Sequence, residues 1–193
     1  FEMSDAIILL RKKYKMPVIS INEKKTIIPA IKKLGKELIK ETFLNSDELI
    51  YALNNDELKD CDNDEYFGVN ILPYLIIPET QTNIKHYVCY KVDTDDVLKY
   101  NEIQKYVTIT FIVMCDVRDN IEKSTGLTRH DLIGNLIKDR INWSNIFGLQ
   151  CKLISDKESV TDTEYATRKL IFQQTTLNSI TKTTNGVTRV INN

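Results

Sequence analysis

The feature that most constrains this fold is a strand-like run at residues 106–116, where apolar residues alternate with a period of two. Alternation of this kind is typical of a β-strand with one face against a hydrophobic core. The alternating positions are Val107, Ile109, Phe111, Val113 and Cys115. The opposite face begins polar at Thr108 and becomes apolar from Ile112 onward. This change predicts that one end of the strand is covered on both sides.

A helix and two more strands are predicted after this run. Thr128 is a suitable N-cap, Asp131 supplies an acid in the first turn, and apolar residues follow at helical spacing. The apolar stripe consists of Leu132, Ile133, Leu136, Ile137 and Ile141. The further strands are predicted at 149–154 and 166–173. These elements predict an α+β fold with a mostly antiparallel sheet flanked by helices.

The chain is predicted to divide into three parts. Residues 1–66 form a helical N-terminal extension, residues 67–175 an α+β core domain, and residues 176–193 an extended C-terminal arm rich in Thr and Asn. In the first part, one helix starts from a cap at Asn22 and a shorter one follows Ser46. An arm of this composition is expected to gain its order on a partner.

The sequence also predicts the loops and strands around the start of the core domain. A polar, acidic stretch at 54–65 is expected to be an exposed loop before the first strand. Strands are predicted at 71–77, where Pro73 requires an edge position or a bulge, and at 84–92. Residues 93–104 are expected to be a polar connection between strands.

Charge is distributed unevenly, although the net charge of the 193-residue chain is −1. Residues 11–40 contain ten basic and two acidic residues, whereas residues 41–66 contain nine acidic residues and one lysine. Such blocks form solvated faces or pair internally. Alternatively, they direct copies of the protein to associate head to tail, basic face against acidic face. The small net charge argues against a general nucleic-acid binder.

Targeting and redox features are few. No run approaches the roughly 20 apolar residues of a membrane helix, and the first residues do not have the order of a secretory signal. The four cysteines stand far apart with no C-x-x-C pair, so we expect reduced, buried thiols in a protein made in a cytosol. They are Cys61, Cys89, Cys115 and Cys151.

Most sequence motifs of metal-binding and catalytic sites are incomplete or missing in this chain. Asp60, Asp62 and Asp64 have the spacing of a calcium loop, but the required Gly and final acid are absent. His86 is expected on a strand surface and His130 in the first turn of a helix, without ligands at metal-binding spacing. There is no Gly-rich phosphate loop. We therefore expect no resident metal, no cofactor and no enzymatic activity.

One enzymatic alternative stays open. The sequence Gln150-Cys-Lys152, with Asp131 and Asp139 upstream, is similar to the acid and Q-x-K arrangement of Mg²⁺-dependent nucleases. There the acids hold the metal and the lysine orients the attacking water. A lysine on the exposed face of a strand would account for the same Q-x-K pattern without any catalytic role.

Three motifs follow one another in the predicted core domain. A strand ending in an acid precedes a helix opened by an Arg-x-Asp pair, in Thr128-Arg-His-Asp131. A Leu-rich strand ending in Ser-Asp follows at 149–156, and a Tyr-x-x-Arg-x-Leu-x-Phe strand comes next at 165–172. With this series, residues 70–175 resemble the C-terminal half of tail-terminator and neck proteins of long-tailed bacteriophages.

The resemblance implies a structural protein of the virion tail or neck. It implies a ring of six copies that caps the tail tube, contacts the tail tube protein and a head-completion or portal-adaptor protein, and lets DNA pass through its lumen without any membrane contact. The alternative within the same particle is a head-completion or adaptor protein.

Four residues are candidates for the contacts between copies that the resemblance implies. They are Arg129, Asp131, Trp143 and Arg168. Each arginine also has an ordinary explanation, Arg129 as a solvated first-turn residue and Arg168 as a strand residue paired across the sheet. Trp143, the only tryptophan, would be an aromatic interface residue or would fold back on the core.

Overall fold

The structure is a computed structural model. It describes residues 27–75, 84–98, 101–145, 150–160, 164–177, 180–182 and 188–190. Within these ranges the α-helices are α1 (Ile27–Leu44), α2 (Asp47–Leu53) and α3 (Arg129–Ile141). The strands are β1 (Ile71–Leu72), β2 (Tyr87–Leu98), β3 (Asn101–Asp116), β4 (Lys152–Val160), β5 (Tyr165–Leu177), β6 (Ile180–Lys182) and β7 (Thr188–Val190). Short 3-10 helices occupy Asn63–Tyr66 and Val117–Asp119.

Five strands form the main sheet in the order β1-β2-β3-β5-β4. The short β1 runs parallel to β2, and the other pairs are antiparallel. Strands β6 and β7 pair with each other in a separate two-stranded ribbon. The predicted α+β class with a mostly antiparallel sheet is therefore confirmed.

The three helices pack on one face of the sheet around the central strand β3. The ring of Phe43 in α1 lies 5.5 Å from that of Phe111 and 6.2 Å from that of Tyr90, measured between centroids. Phe111 also contacts Phe172 of β5 at 5.6 Å. The helices of residues 27–53 thus share one hydrophobic core with the sheet.

Helix α3 buries the stripe predicted for it. Ile133, Ile137 and Ile141 are fully buried, and the two leucines of the stripe pack against the core at its margin. Helix α2 is also as predicted, because the hydroxyl of Ser46 accepts a hydrogen bond from the amide of Leu49. Both predictions are confirmed.

A smaller cluster covers one end of the opposite sheet face. Its buried members are Leu72, Tyr87, Cys89, Met114 and Tyr165, with Ile112 packed against them. The prediction that one end of β3 is covered on both sides is confirmed. We call the remainder of this surface the open face; it carries residues that alternate with the core positions of β4 and β5, including Lys157 and Lys169.

Two of the predicted segments on either side of β2 differ from prediction. In the described part of the strand predicted at 71–77, residues 71–75, only Ile71 and Leu72 are strand residues, because Pro73 has no amide hydrogen to donate to a ladder. The polar connection at 93–104 was predicted wrongly, because β2 continues to Leu98 and β3 begins at Asn101, and the two strands pair there, with Asp93 opposite Thr108. Backbone pairing extends this hairpin beyond the apolar residues that mark its core.

The remaining segments are described in part. Strand β4 begins at Lys152 rather than at residue 149, since the backbone of Cys151 bonds to Trp143 and Ser144 in the preceding turn. Of the predicted C-terminal arm, the described residues continue β5 to Leu177 and form the β6–β7 ribbon. The predicted cap at Asn22 lies outside the described residues.

Candidate functional site

The buried guanidinium group of Arg168 connects β5, β4 and α3. Its Nε and Nη2 atoms donate to the two carboxylate oxygens of Asp156, each at 2.8 Å. Its Nη1 donates at 3.0 Å to both the main-chain oxygen and the carboxylate of Asp131. The hydrogen bonds from Arg168 lower the pKa of Asp156, and Lys138 at 3.1 Å adds to the effect.

Arg129 is a second buried guanidinium group at the start of α3. Its Nε donates to the main-chain oxygen of Asp119 at 2.8 Å, and its Nη1 to that of Ala52 at 3.4 Å. The interpretation of Arg129 as a solvated first-turn residue is therefore wrong, because only 6% of the residue is exposed. Arg129 and Arg168 direct their hydrogen bonds into the chain, so we assign them to its internal organisation rather than to contacts between copies.

His86 lies in the same buried network, although it was predicted on a strand surface. The residue is completely buried immediately before β2, and that prediction is wrong. The backbone N–H of Asp116 donates to its Nδ1 at 3.2 Å, so Nε2 carries the hydrogen and faces Asp119 at 3.3 Å. Burial lowers the pKa of His86. The imidazole is thus held as a neutral structural group.

Trp143 lies on the surface, where 55% of the residue is exposed. The indole therefore does not fold back on the core. Its backbone has φ of 61°, in the left-handed region that bulky residues rarely adopt, and its amide donates to the carbonyl of Cys151. Lys152 places its Nζ 5.6 Å from the ring centroid, and exposed Ile154 follows on β4. These residues border a shallow depression of about 290 Å³.

A larger groove of about 650 Å³ lies between α1 and β2. Lysines 32, 33 and 36 of α1 line it together with Lys91, and Phe67 and Tyr90 contribute aromatic surface. Lys32 is 3.5 Å from the carboxylate of Asp93 and Lys91 is 2.8 Å from it. These pairs lower the pKa of Asp93, chiefly through the hydrogen bond from Lys91. Glu37 and Asp93 also line the groove, so its lining carries charges of both signs.

The residues of the nuclease-like pattern do not form one centre. Asp131 lies beside Glu158, whereas Lys152 begins β4 six residues earlier, a separation of about 20 Å along a strand. Asp139 is exposed two turns along α3, about 12 Å from Asp131. The acids and the lysine are therefore too far apart to hold one metal and one water.

The cysteines follow the prediction with one exception. Cys89, Cys115 and Cys151 are buried free thiols, whereas Cys61 is exposed. Burial raises the pKa of the Cys151 thiol to about 12, so it stays protonated at neutral pH. In the ranges described above, no helix combines the length and apolar composition of a membrane span.

Fold and clusters together define an α+β protein with one helical layer, in which buried Arg168 joins α3 to the sheet and buried Arg129 joins α3 to α2. The family model YomW matches residues 46–174, about two thirds of the chain, from α2 through β5. The chain therefore belongs to the YomW family, which is phage-derived and of the kind found in Bacillus prophages. No curated protein matches the sequence. The association with phage expected from the sequence is thereby supported.

Proposed function

We propose that this protein is a structural subunit of a phage particle that assembles head to tail into a ring of six copies. The ring closes the tail tube and joins it to the neck. The observation that carries the proposal is that the segment leading to β1 is acidic, whereas the open face of β4 and β5 is basic. A head-to-tail contact needs two different and complementary surfaces on each copy, and it closes into a ring when the rotation between copies allows.

The acidic surface lies at the β1 edge. The segment 56–65, which leads from α2 toward β1, is here called the acidic segment, and its carboxylates are exposed. They belong to Asp56, Glu57, Asp60, Asp62, Asp64 and Glu65. One of them, Glu57, lies 3.1 Å from Lys85. The other five acids present a strongly negative edge with Lys59 as the only basic residue in the segment.

The basic surface lies at the β4 edge. Lys157 and Lys169 are directly opposite each other in the β4–β5 ladder, and both are exposed on the open face. Like charges at directly opposed positions destabilise a strand pair, so acids from a neighbouring copy would relieve a repulsion built into each subunit. Exposed Lys152 extends the same edge toward Trp143.

Exposed apolar side chains accompany both charged edges. Trp143 and Ile154 are 55% and 52% exposed near the basic edge. Tyr51 and Ile121 are 65% and 63% exposed on the other side, where the Tyr51 hydroxyl lies 3.5 Å from the carboxylate of Glu122. Tyr51 belongs to α2, directly before the acidic segment. Aromatic residues in such positions commonly dominate the binding energy of an interface.

The experiment is a mass measurement of the full chain by light scattering after size exclusion, with negative-stain imaging, alone and with tail-tube subunits. A hexameric ring is expected in at least one condition, and twelve copies would instead indicate the head-side adaptor. The double variant Lys157→Glu, Lys169→Glu should abolish assembly. A chain that combines Asp60→Lys and Asp62→Lys with these two substitutions should assemble again, because the reversed charges on its two surfaces are complementary.

Lys123→Glu is the matched control, since Lys123 is an exposed lysine that belongs to neither the basic surface nor the acidic segment. It should assemble like the natural chain. A protein that stays monomeric both alone and with tail tubes would overturn the ring proposal. Assembly that survives the double lysine reversal would overturn the assignment of the two edges.

A further inference from the structure

Three potential metal ligands from two elements meet at the start of α3. The Nε2 or Nδ1 of His130 and carboxylate oxygens of Asp131 and Glu158 all lie within 4.8 Å of one another. His130 and Asp131 are consecutive in α3, whereas Glu158 reaches over from β4, opposite Arg168 in the ladder. Asp131 and the nearby charge of Glu158 also act on the Arg168 network, whereas the proposed ring contacts use neither His130 nor Glu158.

The imidazole of His130 is oriented as a ligand. Its Nδ1 lies 3.0 Å from the amide oxygen of Asn120, which can only accept, so Nδ1 carries the hydrogen and Nε2 keeps a lone pair. The side chain is only 10% exposed, and Nε2 stands 4.0 Å from Asp131 Oδ2, beyond hydrogen-bond distance. A histidine fixed by a hydrogen bond at one nitrogen with the other facing carboxylates is typical of metal sites.

The carboxylates around this cluster outnumber the basic side chains that pair with them. The carboxylate of Asp156 accepts two hydrogen bonds from Arg168 and a third from Lys138. Arg168 also holds Oδ1 of Asp131, whereas Oδ2 lies on the side of His130 and accepts a hydrogen bond from the hydroxyl of Thr128. Three carboxylates, those of Asp131, Asp156 and Glu158, thus stand against two basic side chains. One negative charge is uncompensated beside an imidazole lone pair.

We propose that His130, Asp131 and Glu158 bind one divalent transition-metal ion, with Zn²⁺ the best fit, and that this ion fastens α3 to β4. Imidazole with carboxylates suits Zn²⁺, whereas Mg²⁺ and Ca²⁺ prefer oxygen ligands throughout. Metal bonds of about 2.0–2.2 Å place ligand atoms roughly 3–3.5 Å apart. Glu158 is an exposed side chain on an edge strand and closes the remaining gap of about 1 Å by rotating.

The experiment titrates the full chain with Zn²⁺, Mg²⁺ or Ca²⁺ by calorimetry and follows Tm. The variant Cys61→Ser is the background, so that the exposed thiol contributes no binding. One Zn²⁺ per chain is expected, with a Tm raised by roughly 5–10 °C at a hundredfold excess over Kd. Glu158→Gln should weaken Zn²⁺ binding by at least about tenfold. Glu158→His should restore it, because imidazole is again a ligand.

Asp139→Asn is the control on the same helix, since Asp139 is exposed two turns away. It should bind Zn²⁺ like the background chain. Because Glu158 is exposed, its variants should keep the fold, and circular dichroism checks this. Absence of Zn²⁺ binding, or equal binding by Glu158→Gln and the background, would overturn the proposal.

Discussion

Gly134 lies where a Cβ atom would stand 2.7 Å from Cδ of Arg168 and 3.0 Å from its Nε. The guanidinium group cannot simply move aside, because Asp156 and Asp131 hold it by four hydrogen bonds. A residue without a side chain at this position of α3 is therefore what allows the helix to approach the arginine. This close approach predicts that even an alanine at position 134 lowers the stability of the fold.

Gly134→Ala should lower the free energy of unfolding by about 1–3 kcal/mol, as overpacking of a core does. This loss should outweigh the gain of about 1 kcal/mol that alanine brings to a helix interior. Gly35→Ala is the matched control in α1, where the added Cβ would meet Val92 at 3.3 Å. Urea unfolding should show that variant close to the natural chain. Equal effects of the two substitutions would contradict the role given to Gly134.

Arg168→Met should destabilise the protein by about 2–3 kcal/mol at pH 7, because it leaves Asp156 and Asp131 without their shared partner. The pKa of Asp156 is lowered in the folded state, so its contribution is present above the unfolded value and is lost as the pH falls through the folded value. The difference between variant and natural chain should therefore shrink below about pH 4. Denaturant unfolding at several pH values checks this.

Arg140→Met provides the contrast. Arg140 bonds to Glu48 at 2.8 Å, but the Glu48 side chain is 71% exposed. Exposed ion pairs contribute about 0–1 kcal/mol, so this variant should be close to neutral at every pH. A pH-independent cost of Arg168→Met would show that lost packing, rather than lost charge pairing, determines its effect.

Phe43→Ala should destabilise the whole described fold by about 3–5 kcal/mol, since Phe43 is fully buried against Phe111 and Tyr90. Unfolding followed by circular dichroism and by Trp143 fluorescence should shift together, as in one cooperative unit. Tyr51→Ala, which removes an exposed ring from α2, should leave the monomer nearly unchanged. A fluorescence transition unaffected by Phe43→Ala would mean that the first helices fold separately from the sheet.

Local periodicity was sufficient to predict the central elements of this fold. The alternation in β3 and the stripe of α3 depend on which residues lie one, three or four positions apart, and the chain displays these directly. The Ser46 cap is equally local. The ends of the β2–β3 hairpin were missed because its outer part pairs through the backbone, which leaves little trace in side-chain polarity.

The buried polar groups could not be predicted from local patterns. Arg129 depends on the carbonyl of Ala52, which is 77 residues away in the chain. The candidate ligands His130 and Glu158 come from different elements, so their spacing in the sequence does not form a metal-binding motif. Gly134 could have given a signal, because a glycine inside a strongly apolar helix stripe carries a cost that packing has to offset.

His86 should make stability depend on pH below neutrality. Its pKa is lowered by burial, so the unfolded chain binds a proton at a higher pH than the folded chain does. The contribution of His86 is therefore fully present above its unfolded pKa of about 6.5 and declines as the pH falls below that value. His86→Gln should be less stable at pH 7 but should lose less stability between pH 7 and 5. Parallel pH profiles would contradict a neutral buried imidazole.

Trp143 should report directly on assembly, because it is the only tryptophan and more than half of it is exposed. Its emission should move to shorter wavelength when the ring forms, as the indole leaves water. Trp143→Gly should weaken assembly at least about tenfold, as loss of an interface aromatic does. The same variant should not destabilise the monomer, since a left-handed backbone costs about 1–2 kcal/mol for a bulky residue and little for glycine.

The control for Trp143 is Tyr74→Ala, which removes a ring of similar exposure, 51%, from the groove beside α1. That variant should assemble normally, because Tyr74 belongs to neither the basic surface nor the acidic segment. If Trp143→Gly unfolds at lower denaturant concentration than the natural monomer, the indole stabilises its own turn. If its assembly is unchanged, the interface lies elsewhere and the strained backbone at this position needs another explanation.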